Sequence, residues 1–174
     1  MTFVLGGYAQ NQFSVGYAGS YFTRPGVHLN YQAHLRDFQS KKDNITNKAL
    51  LGGVQLGLYH HPGMQWGSYL APEISFQKQN EKGFRIGYEL GIGALFTQPS
   101  NLYSANDGQY EKAGFQPDVN LVLTPAISLG KEIKANWADA WYIKNRVMLI
   151  PFYAEQSTFR YFFEVGITKS ISKS

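Results

Sequence analysis

Apolar and polar residues alternate along this chain in eight stretches, each about ten residues or longer. In the first, Phe13, Val15, Tyr17, Gly19 and Tyr21 alternate with Gln12, Ser14, Gly16, Ala18 and Ser20. A period of two places the two sets on opposite faces of a β-strand. The pattern predicts strands over about 11–22, 27–38, 49–60, 65–78, 84–97, 115–130, 141–154 and 158–168. Turn chemistry separates several of them: Thr23-Arg24-Pro25-Gly26, His61-Pro62-Gly63 and Asn80-Glu81-Lys82-Gly83. The longest loop is expected at about 98–114, with Asn101, Asn106, Asp107 and Gly108. Polar links run from Gln39 to Lys48 and from Lys131 to Ala140, the second holding Trp137. No helical period or repeat is present, so the fold class is all-β: an eight-stranded antiparallel up-and-down barrel. Pro72, Pro125 and Pro151 fall inside strands, where each removes a ladder donor, and are expected at bulges or near strand ends.

A soluble barrel would turn its apolar faces inward. Three features point to the inverted arrangement, a transmembrane barrel. The polar faces are rich in Gly, Ala, Ser, Asn and Gln, with isolated charges of both signs, which suits a narrow lumen whose charges must pair. Large aromatics gather towards strand ends on the apolar faces: Tyr21, Trp66, Phe76, Phe84, Phe96, Trp141, Tyr153 and Phe159. That is where interfacial girdles belong. The strands also exceed the roughly 9–11 residues that cross a bilayer at a tilt.

Composition agrees. Charged residues make up 16% of the 174, below the roughly 25% of soluble domains, while aromatics reach 16% and Gly numbers 18. Mean hydropathy is negative, and no uncharged apolar run reaches the ~18 residues of a helical span. The chain has no cysteine, which removes disulfides and thiolate metal sites. The net charge of +4 is scattered rather than gathered on one face, so no nucleic acid partner is expected. Residues 1–10 have the form of a residual signal-peptide segment, with Gly7-Tyr8-Ala9 as a small-x-small cleavage site, leaving 11–174 as the barrel.

From Asn11 onwards the chain resembles the small eight-stranded outer-membrane barrels of Gram-negative bacteria, the OmpA/OmpX-type transmembrane domain. The likeness is architectural and rests on no family motif. It implies an outer-membrane location with membrane lipid as the first partner. It also implies a last strand ending on an aromatic residue, whereas this chain runs past Ile167 to Lys169, Ser170, Ile171, Ser172, Lys173 and Ser174.

The most notable candidate site is the lumen. Arg36, Arg85, Lys144, Arg146 and Arg160 are expected to face Glu73, Glu89, Asp118 and Glu164 in an ion-pair network. A plug is favoured over a gated pore, because side chains can fill an eight-stranded interior. His28 and His34 lie about 20 Å apart on one strand and cannot share a metal, while His60-His61 sit at a turn. No metal and no cofactor are expected. Lipid A deacylases carry a His-x-Ser pair that His28-Leu29-Asn30, His34-Leu35-Arg36 and His60-His61-Pro62 do not match. Palmitoyl-transferring barrels need an apolar inner slot, and the lumen face reads as polar throughout. The glycines at 87, 91 and 93 sit inside a strand, not at a strand–helix turn, and are expected to make room for large side chains from the opposite wall. The reading is a non-catalytic barrel, an accessory or scaffold subunit that meets other outer-membrane proteins through its wall. The alternatives are a surface ligand-binding or adhesin barrel using loop 98–114, a lipid A-modifying enzyme, and a soluble lipocalin-like carrier.

Overall fold

Eight long strands with alternating faces can satisfy every backbone group only by closing on themselves, and the chain does so. The computed structural model describes residues 11–20, 24–38, 46–100, 103–106, 109–112, 116–133, 135–153 and 156–171. The strands are β1 (Asn11–Ser20), β2 (Arg24–Phe38), β3 (Thr46–His61), β4 (Gln65–Asn80), β5 (Phe84–Pro99), β6 (Tyr103–Asn106), β7 (Gln109–Lys112), β8 (Asp118–Glu132), β9 (Ala140–Tyr153) and β10 (Gln156–Ile171). The barrel order is β1-β10-β9-β8-β5-β4-β3-β2, every neighbouring pair antiparallel. The expected loop 98–114 contains a separate hairpin, β6 paired with β7. The residual signal segment 1–10 and the last residues 172–174 lie outside the described residues.

Local chemistry sets the turns. Gly63 and Gly83 take positive φ of 74° and 78°, a region that glycine enters without steric penalty. Asn80 prepares the second turn: its Oδ1 accepts from the backbone N–H of Lys82 at 3.0 Å and of Phe84 at 2.9 Å. The link from β8 to β9 is tied back to β10. Asp139 accepts the Ser170 N–H at 2.6 Å and the Lys169 ammonium at 3.1 Å, and its own N–H donates to the Thr168 carbonyl at 2.8 Å.

The apolar faces point outward. Leu58, Leu90, Ile92, Leu121, Ile127 and Leu129 are each more than half exposed, and the exposed apolar band continues around the barrel. A soluble surface tolerates apolar patches of only a few hundred Å². Such a wall needs lipid as its solvent, so the protein is a transmembrane β-barrel of the outer-membrane type.

Inward positions alternate bulky tyrosines with glycines, but the partners are neighbours in the sheet. The Tyr69 ring covers Gly57, and the Tyr59 ring covers Gly67. The Tyr142 hydroxyl lies 2.7 Å and 2.6 Å from where a Cβ on Gly16 or Gly166 would stand. The glycine at 91 likewise makes room for Gln55 and Thr124, side chains from nearby staves rather than the opposite wall. Adjacent strands bring facing residues within reach of an aromatic ring, so a ring lies down over a neighbouring glycine.

The three in-strand prolines have different consequences. Pro72 lies within β4, and the β4–β5 register omits it and Ala71. The seam between β8 and β9 is less complete. Leu123 pairs with Leu149, and continuous pairing runs only from Ala126/Arg146 to Glu132/Ala140. Pro125, which has no N–H, falls between these pairs, and Pro151 lies two residues beyond Leu149.

Candidate functional site

The lumen is filled in layers. Its central layer is polar and comes from inward positions on β2, β4, β5, β9 and β10. Lys144 Nζ lies 2.7 Å from Glu89 Oε2 and 3.9 Å from Glu164 Oε2. Arg146 Nε donates to Glu164 Oε1 at 2.8 Å, and its Nη2 is 3.7 Å from Glu89 Oε2. His28 Nδ1 approaches Glu164 Oε2 at 3.2 Å without hydrogen-bond alignment. Glu73 meets amides instead of cations: Asn30 Nδ2 and Gln32 Nε2 both donate to its Oε1 at 2.6 Å. Gln77 supports Gln32 from behind at 3.3 Å.

Aromatic faces complete this layer. The Arg146 guanidinium lies 5.8 Å from the Tyr69 ring centre, and Lys144 Nζ is 5.2 Å from that of Tyr142. His28 stacks on Tyr69 at 6.2 Å. The charged groups and aromatic rings of this layer are buried, with Arg146, Glu164 and His28 at 0% exposure. Charges so placed persist only when paired, and each carboxylate therefore holds a cation or oriented amides.

Above this layer, towards the end away from the chain termini, the lumen is apolar. Tyr59, Leu95, Val122, Met148, Ile150 and Phe162 form one buried cluster with Tyr69. This corrects the expectation of a polar lumen throughout. Strand segments such as Leu121-Val122-Leu123 and Val147-Met148-Leu149-Ile150 are apolar on both faces, one towards lipid and one towards the packed interior. Arg160 caps the cluster. It donates to the Tyr59 hydroxyl and lies over the Tyr59 ring. With the Gln65 amide oxygen turned towards it, the guanidinium also donates to Gln65 at 2.9 and 3.1 Å.

Below the central layer a polar vestibule faces the end that carries the termini. It encloses a cavity of about 40 Å³ lined by residues including Gln12, Ser14, Gln77, Ser128 and Thr168. Ser14 and Thr168 share a hydrogen bond of 2.9 Å across the β1–β10 seam. Arg85 also lines this cavity, and pairs with Glu132 at 2.9 Å.

The nine expected lumen charges thus divide. Glu73, Glu89, Lys144, Arg146 and Glu164 come together. Arg85 lies in the vestibule and Arg160 in the far cap. Asp118 starts β8 in register with Thr97 and is exposed, apart from the network. Arg36 is a correction: it lies on the outer face. The β2–β3 register shifts between His34 and Arg36, and a one-residue bulge reverses the alternation beyond it. Arg36 therefore pairs with outward Leu50, and its guanidinium sits 5.4 Å from the Phe38 ring centre. Inward Asp37 takes its place, bonded to His34 at 2.8 Å.

The aromatic girdle falls into two belts. Trp66, Phe96 and Phe159 lie towards one rim, and Phe76, Phe84 and Trp141 towards the other. Ten residues separate Trp66 from Phe76, about 33 Å of strand, or roughly 25 Å of height at the usual tilt. Tyr21 and the Tyr153 side chain lie outside the described residues. The sequence reading missed His28, Tyr69 and Tyr142 as members of the network. Their inward parity was legible, but their contacts cross strands far apart in sequence.

No protein-family model matches the sequence. No curated protein matches it either. Solved structures with a similar fold include the N-terminal β-barrel domain of Pseudomonas aeruginosa OprF (12% identity, TM-score 0.47, covering 92% of this chain and 98% of that one). The outer membrane enzyme PagL is similar at 11% identity and TM-score 0.49, with 94% and 100% covered. The outer membrane protein Ail of Yersinia pestis is similar at 13% identity and TM-score 0.44, with 92% and 99% covered.

Proposed function

We propose that this protein is a non-conducting, non-catalytic barrel of the Gram-negative outer membrane, an accessory or scaffold subunit that works through its wall. The observation that carries this reading is the doubly closed lumen. A paired ionic layer at mid-height and an apolar layer above it stand over a small vestibule, whose cavity is about 40 Å³. An ion would have to separate Lys144 from Glu89 and then cross an apolar layer, both unfavourable steps in low dielectric. Both closed layers leave the wall as the extended surface available for interaction.

The short turn at 62–64, at the end away from the termini, supports the same reading, since surface-binding barrels use long loops. The test is extraction of native membranes in mild detergent and measurement of mass and composition. A stoichiometric assembly is expected. A lone barrel near 20 kDa plus detergent would overturn the scaffold role, and recovery without detergent would overturn the membrane reading.

A second reading draws on the β6–β7 hairpin, the one strand pair outside the barrel among the described residues. A surface ligand-binding barrel would use it, and deleting 101–115 would then abolish binding while sparing insertion.

A further inference from the structure

Among the described residues the apolar outer wall carries few polar side chains between the aromatic belts: Ser68 on β4 near the Trp66 rim, and Asn145, which lies deeper. Asn145 faces outward on β9, in register with Ile127 on β8 and Phe163 on β10, and is exposed. It stands four residues from the belt residue Trp141, about 13 Å along the strand and roughly 10 Å into the hydrocarbon. Its Oδ1 accepts from the Tyr161 hydroxyl at 2.6 Å. Its Nδ2 has no acceptor among the described residues. Lipid chains offer none at that depth, so the amide N–H groups are left to a protein partner.

A second observation marks the same sector. The β8–β9 ladder is interrupted beside Asn145, between Leu123/Leu149 and Ala126/Arg146, with Pro125 in the gap. The flanking outward side chains, Ile127, Ile143, Val147 and Phe163, are apolar.

We infer that the outer face of β8–β10 is a self-association surface, in which Asn145 of one barrel pairs with Asn145 of a second copy. The inference deepens the scaffold reading above and rests on it. The occupant follows from two arguments. A primary amide is both donor and acceptor, and Oδ1 retains a lone pair beside the Tyr161 bond, so two such amides can exchange hydrogen bonds. Barrels in one membrane share an orientation, and a two-fold axis along the membrane normal keeps each residue level with its copy. Asn145 therefore meets its counterpart at matched depth, with the apolar flanks packing around the pair.

The test is sedimentation equilibrium of the full chain in density-matched micelles, on wild type, Asn145→Leu and Asn145→Gln. Circular dichroism and boiling-dependent gel migration establish that each barrel is folded. Wild type is expected to dimerise, with Asn145→Leu weakening association about tenfold or more and Asn145→Gln keeping most of it. A monomeric wild type, or a dimer indifferent to Asn145→Leu, overturns the inference. If native membranes instead yield a complex with a different protein that Asn145→Leu releases, the second-copy inference fails while the scaffold reading holds. A lone monomer from native membranes overturns both.

Discussion

Arg146 and Glu164 are wholly buried, and their 2.8 Å hydrogen bond joins β9 to β10 through the lumen. Because Glu164 also lies near Lys144 and His28, its removal leaves more than one polar group uncompensated. Glu164→Gln is expected to destabilise the barrel by about 3–5 kcal/mol, read from urea unfolding in micelles. Glu73→Gln should do less, because Glu73 accepts from amides and meets no cation directly. Equal losses from both would contradict the layer described. Gly57 has a different role, as the floor under the Tyr69 ring. Gly57→Val should cost about 1–3 kcal/mol by overpacking, measured the same way, and Tyr69→Ala in the same chain should recover part of it. Parity along each strand made the inward residues legible in sequence. Which of them touch was not, because contacts such as Asn30 with Glu73 span 43 residues.

At the scale of elements, one residue of register decided the largest discrepancy. Alternation extrapolated through β2 sends Arg36 inward, and the bulge sends it out. A bulge reverses the parity beyond it, and with so short a tail of β2 left its one mark in the sequence is Phe38, an apolar residue at a position of polar parity. The link before β9 gives a pH prediction. Burial pushes the Asp139 carboxyl up, but hydrogen bonds from the Ser170 N–H and the Lys169 ammonium outweigh it and hold the group below its usual range. A depressed folded value contributes stability that is present above the unfolded value of about 3.9 and is lost as pH falls through the folded one. Hydrogen exchange at Ser170, corrected for its intrinsic pH dependence, should therefore lose protection as pH falls below about 4. Asp139→Asn should show weaker protection with no such pH step. A step that survives in the variant would assign it to another group.

For the whole molecule, closure decides transport. A lumen closed by one ionic and one apolar layer should show negligible single-channel conductance in planar bilayers. Reproducible ion-selective openings would contradict the plug. The same closure explains why the lumen was only half legible. Lys144, Arg146 and Glu164 announce a buried ionic layer because isolated charges inside strands have nowhere else to pair. Leu95, Val122, Met148 and Ile150 look in sequence like more lipid-facing wall, because an apolar interior and an apolar membrane select the same residues.

The sequence by itself determined the eight barrel strands, the barrel class and the apolar exterior. Each follows from a local period of two, from turn residues or from strand length. Only the tertiary structure decided the partners of the lumen charges, the outward turn of Arg36, the apolar upper layer and the interrupted β8–β9 pairing beside Asn145. Those depend on register between strands and on closure of the ring, which bring together residues that no local pattern relates.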